Sequence, residues 1–146
     1  MRTAGTDSNS KRTYKIVTNN PTVAARWPHE AEVVTGGPEN VYRAARDLIH
    51  CGHMLLTHPL AGSVKPNESP YRSVIVTRDP RPTVDLDSLR LIEAALSALD
   101  KLVASSGLRY GRGAAATVQL PPELDADYRM IDSSLMESAV QSLDEF

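Results

Sequence analysis

The chain has 146 residues, 41% apolar and 23% charged, with a formal charge of −2 at pH 7. That length suits one domain around a single core, and the balance of apolar to charged residues excludes a disordered chain. The near-neutral charge gives no general attraction to nucleic acid or an anionic membrane, and no apolar run approaches the ~20 residues that cross a bilayer.

Residues 1–12 are polar and lack an apolar signal region, so a disordered leader is expected, followed by one α/β domain over 13–146. Tyr14 to Thr18 alternates as a short strand and stops at Asn19-Asn20-Pro21. Thr22 to Trp27 has room for one helical turn. Glu32 to Thr35 reads as a second strand closed by Gly36-Gly37. Pro38 suits the first position of a helix and Glu39 complements its positive end, while Val41, Ala44, Ala45, Leu48 and Ile49 form an apolar stripe that Gly52 stops.

His53 to Thr57 reads as a third strand and Ser73 to Thr77 as a fourth, both densely apolar. Asp85 is a good N-cap for a second helix, whose face carries Leu89, Ile92, Leu96, Leu99 and Val103 up to Gly107. Residues 108–120, with Arg109 and Arg112 beside Gly111, have the composition of a flexible connection. Pro121 and Pro122 then open an amphipathic C-terminal helix, which packs either on the sheet or on another subunit. The expected architecture is a mostly parallel sheet of about four strands flanked by helices.

In such a sheet ligands bind beyond the carboxyl ends of the strands. Three strands end in Thr18-Asn19-Asn20, Thr35-Gly36-Gly37 and Thr57-His58, so a common rim is expected. Gly36 and Gly37 let backbone N–H groups approach a ligand, and the following helix aims its positive end there; the same dipeptide is also an ordinary turn into a helix. Between Thr57 and Arg72 lies a long loop with His58, Ser63, Lys65, Asn67, Glu68 and Tyr71 among three prolines and a glycine, long enough to suggest a functional role. Lys65 and Arg72 supply positive charge, so the candidate ligand is a small anion, phosphate or carboxylate.

His58, held extended by Pro59, is a candidate acid/base or else a structural histidine. Ser63 and Lys65 suit ligand contact better than a nucleophilic pair. Asn67 caps loop backbone or faces a ligand, and Tyr71 folds over a ligand or pins the loop. His50 and His53 flank a turn at the other end of the strand from His58, so no metal site and no cofactor are expected. Cys51 is the single cysteine, which excludes an intrachain disulfide or CxxC pair and makes the cytoplasm the default location.

The run Asp47-Leu48-Ile49-His50, Gly52-His53, Leu55-Leu56-Thr57-His58-Pro59-Leu60, Gly62-Ser63-Val64-Lys65-Pro66-Asn67-Glu68 and Pro70-Tyr71 resembles the GrdX family. Thr18-Asn19-Asn20-Pro21 is similar to that family's opening motif, and the likeness extends over about Tyr14 to Val103. The resemblance implies a small protein associated with the glycine, sarcosine and betaine reductase systems of amino-acid-fermenting bacteria, without established catalytic residues. Two functions follow as expectations. One is an accessory protein that binds reductase components or a small anionic metabolite. The other is an enzyme on a phosphorylated or carboxylated metabolite, with His58 as acid/base. A homo-oligomer through the C-terminal helix is a further expectation.

Overall fold

The structure is a computed structural model in which residues 12–62, 64–108, 110 and 120–145 are described. The leader 1–11, Ser63, Arg109 and residues 111–119, and with them most of the expected connection, lie outside the described residues.

Among the described residues seven elements follow one another: β1 (Tyr14–Thr18), α1 (Pro21–Arg26), β2 (Ala31–Val33), α2 (Pro38–His50), β3 (Ser73–Thr77), α3 (Leu86–Ser106) and α4 (Pro122–Asp144). Local chemistry sets most of their starts. Asn20 caps α1 by accepting from the Thr22 N–H at 3.0 Å, with Pro21 behind it, and Asp85 caps α3 by accepting from the Ser88 N–H. Pro38 opens α2, where a missing N–H costs nothing, and Glu39 pairs with Arg43 one turn later. Gly52, just past α2, has φ +110°, and any Cβ there would collide with the Arg81 carbonyl.

Among the described residues the sheet has three strands in the order β2-β1-β3, with β1 parallel to β2 and antiparallel to β3. This corrects the expectation of about four mostly parallel strands. β2 also begins at Ala31 rather than Glu32, because pairing with β1 is already set by the Ile16 N–H donating to the Glu30 carbonyl. The stretch expected as the third strand reduces to one bridge, Leu55 to Val76. Side chains take over its ladder. The Met54 N–H donates to the Thr77 hydroxyl oxygen, whose own carbonyl is engaged by His53 Nδ1, and the Ile75 N–H donates to the Thr57 hydroxyl oxygen. Two backbone bonds remain, Leu56 N–H to the Ile75 carbonyl and Thr77 N–H to the Met54 carbonyl. The stretch still runs antiparallel to β3, and so in the same direction as β1 and β2.

Alternation along the strands builds two cores. Val17, Val74 and Val76 pack with Val41, Tyr42, Ala45 and Ile49 of α2 and Ile92, Ala95 and Leu99 of α3. On the opposite face, Tyr14, Ile16 and Ile75 pack with Val23 and Trp27 beside α1 and with Met136 and Val140 of α4. The C-terminal helix is therefore a wall of this domain. Its attachment is also polar: Arg26 makes a two-pronged pair with Glu137, and the Tyr14 hydroxyl donates to Asp144. Among the described residues no helix is long and apolar enough to cross a membrane.

Candidate functional site

The carboxyl ends of β1, β2 and the 54–57 stretch meet at one end of the sheet because all three run the same way. One side chain ties the turns there. Asn19 Nδ2 donates to the Gly36 carbonyl at 2.8 Å and to the Pro70 carbonyl at 2.6 Å, while Asn19 Oδ1 accepts from the Arg72 N–H at 2.9 Å. The turn after β1, the turn after β2 and the end of the long loop are thus held together.

Thr18 and Asn20 are buried at this rim and engaged in a polar chain. The Asn20 N–H donates to Thr18 Oγ1 at 2.9 Å, the Thr18 and Ser73 hydroxyls are 2.7 Å apart, and Ser73 donates to Asp132 Oδ2 at 2.7 Å. Asn20 Nδ2 adds bonds to Asp132 Oδ2 and to the Arg129 carbonyl. Successive donors ending on one carboxylate polarise each other in the same sense. They dock the middle of α4 on the rim. Burial pushes the Asp132 carboxyl up, against the Asn20 and Ser73 hydrogen bonds and the Arg72 charge, which favour the ionised form.

Gly36 and Gly37 stand at the start of α2, with the Asn40 amide over Gly36, donating to the Thr35 carbonyl, and the Tyr110 ring over Gly37. The small hollow beside them, about 70 Å³, is lined by the acidic Glu39 and Asp100 and by Leu99, Val103 and Leu108. Lys65 lies exposed at the start of a turn of the long loop and does not line this hollow. Thr57 has its hydroxyl in the sheet edge, as above. His58 is exposed, and its Nδ1 accepts from the Leu60 N–H at 3.1 Å, which places any proton of the neutral ring on Nε2. It lines neither this hollow nor the larger cleft described next.

The long loop is fixed at several points. The Tyr42 hydroxyl donates to the Pro59 carbonyl, the Tyr110 hydroxyl to the Pro66 carbonyl, and buried Asn67 Nδ2 to the Gly107 carbonyl. Asn67 Oδ1 is buried without a partner among the described residues. Between this loop and α4 lies a cleft of about 290 Å³, lined by Ala61, Gly62, Val64, Ser69, Tyr71 and Arg72 on one side and by Tyr128, Ile131, Asp132, Ser134, Leu135 and Ser138 on the other. That volume falls just below the range usual for small-molecule sites, ~300–1,000 Å³.

Arg72 is 5% exposed. Its Nη1 donates to the Ala61 carbonyl at 3.1 Å and its Nη2 to the Val64 carbonyl at 2.8 Å, while its buried Nε has no partner among the described residues. Tyr71 lines the cleft beside Arg72. Its hydroxyl donates to Asp125 at 2.6 Å and accepts from Arg129 Nε at 2.9 Å, and the Arg129 guanidinium lies 5.2 Å from its ring centroid. Burial, then the Asp125 bond, raise the Tyr71 phenol above its ordinary value. Among the described residues no cluster of three or more His, Cys, Asp or Glu could hold a metal ion, and Cys51 is exposed at the end of α2.

Sequence reasoning did not name the α4 side of this cleft. One signal was present: Asp132 falls in the i, i+4 series with Tyr128, Met136 and Val140, an acid on an otherwise core-facing row.

Fold and site together define a small mixed α/β domain with a doubly charged cleft between its long loop and its last helix. The chain belongs to the GrdX-like protein family, whose model matches residues 15–141. The match runs on into α4, beyond Val103, where the likeness read from the sequence stopped. No curated protein and no solved structure matches the chain.

Proposed function

We propose that this protein is a non-catalytic accessory component of a glycine, sarcosine or betaine reductase system, and that it binds a small anionic ligand in the cleft between the 57–72 loop and α4. The association is what membership of the GrdX-like family suggests. The observation that carries the ligand is Arg72: a buried guanidinium on the cleft wall, with an Nε donor still unpaired among the described residues. The guanidinium is bonded to loop carbonyls and to no carboxylate among the described residues, so a carboxylate or phosphate in the cleft supplies the missing counter-charge. Tyr71 acts in this reading as part of the cleft's wall. Thr18, Asn19 and Asn20 work one layer behind, holding Asp132 and the loop in place. Asn67 shapes the loop.

The enzyme alternative uses His58 as acid/base, with Lys65 and the Gly36-Gly37 amides holding an anion. It is less well supported, because His58 lies outside both hollows and two carboxylates line the one beside Gly37.

A thermal-shift screen of the purified protein against small carboxylates and phosphates tests the ligand. A compound that binds only the folded state at 100 times its Kd adds about 2.7 kcal/mol of stability. Ile131→Trp, which fills the cleft from a half-exposed position, should abolish the shift without loss of cooperative unfolding. Ligand shifts unchanged in that variant would move the site elsewhere. The system assignment is tested by co-purification: reductase components that never accompany the protein under anaerobic, reducing conditions would count against a partner role.

A further inference from the structure

The cleft carries two buried charges of opposite sign that are not spent on each other. Arg72 donates to two loop carbonyls, and Asp132 accepts from Asn20 and Ser73. Both line the same space, one from the loop and the other from α4, and Arg72 is close enough for its charge to act on the Asp132 carboxyl. A ligand bearing only negative charge would satisfy Arg72 and be repelled by Asp132. One bearing only positive charge would meet the reverse. A ligand with both charges a few bonds apart suits both walls and leaves the buried site electrically neutral, the condition under which buried charge is tolerated.

We propose that the cleft takes a small zwitterion of the amino-acid class, its carboxylate against Arg72 and its protonated amine facing Asp132. This rests on the ligand-binding reading above and narrows it. Val64, Ile131 and Leu135 add apolar wall beside Ser69, Ser134 and Ser138, which suits a short aliphatic substituent. The small volume points the same way. Burial pushes the Asp132 carboxyl up, and an incoming ammonium supplies a counter-charge that favours its ionised form.

The test compares three probes of one carbon skeleton on the full-length protein at pH 7, by calorimetry and thermal shift: L-alanine, propionate and n-propylamine. Alanine should bind at least tenfold tighter than propionate, and propylamine should give no shift. Asp132→Asn should bring alanine down to the level of propionate; if that variant fails to fold, the ranking on the unaltered protein decides alone. Propionate binding as tightly as alanine would overturn the zwitterion and leave the anion site standing. Propylamine as the sole binder would overturn both. No response to any of the three, with a phosphate compound active in the wider screen, would remove the zwitterion and keep the anion reading.

Discussion

The Asn20 amide donates to the Asp132 carboxylate across 3.0 Å, joining residues 112 positions apart. The same side chain caps α1 and holds the Arg129 carbonyl, so one asparagine fastens the first helix and the last to the rim of the sheet.

Asn20→Ala removes the cap, worth ~1 kcal/mol. It also strips a bond from a buried carboxylate, costing ~1–3 kcal/mol, whereas the Arg129 carbonyl keeps its own helical partner within α4. A loss of roughly 2–4 kcal/mol is expected, read as a lower urea midpoint with an unchanged slope. A loss within ~0.5 kcal/mol would show that α4 docks without this link.

The pH dependence of stability should carry the signature of Asp132. Its folded-state carboxyl is raised, so between the ordinary carboxylate value and the raised one the folded state holds a proton that the unfolded chain has released. Stability falls as pH rises through that window. Asp132→Asn should flatten the fall when urea midpoints are measured across it; an unaltered slope would assign it to another group.

Three of the five tyrosines, Tyr14, Tyr42 and Tyr71, have phenols raised chiefly by burial. They favour the folded state below about pH 10, and that contribution is lost as pH climbs toward their folded values. On alkaline titration of the folded protein, phenolate absorbance should stop well short of its final value and complete only with loss of the far-ultraviolet helical signal. Full ionisation near pH 10 in a folded chain would contradict this.

Two glycines separate backbone strain from crowding. Gly107, the cap of α3, has φ +74° and ψ 177°, a conformation that is nearly glycine-only, and no described atom crowds the place of a Cβ, so Gly107→Ala should cost ~1–3 kcal/mol from conformation alone. Gly52→Ala adds a collision with the backbone at Arg81 and should cost more than about 3 kcal/mol. Chemical denaturation of both variants gives the comparison, and equal losses would mean that the Arg81 turn yields freely.

Much of the fold was legible because its signals are local. Pro38, Asn20, Asp85 and Gly52 act within one helical turn of their own positions, and the rows Val41 to Ile49 and Leu89 to Val103 follow the 3.6-residue period. The third strand was misread because Met54-Leu55-Leu56 has the composition of a strand, whereas the hydroxyls of Thr57 and Thr77 take two places in its ladder.

By itself the sequence determined where most helices begin, which residues face a core, and that Thr18, Thr35 and Thr57 precede turns. Only the tertiary structure decided that β3 runs antiparallel, that α4 is a wall of the domain, and that Arg72 and Asp132 face one cleft. The physical reason is range. Caps and periodicity are settled between residues a few positions apart, whereas strand direction and the partner of a buried charge depend on groups that only the folded chain brings within hydrogen-bond reach.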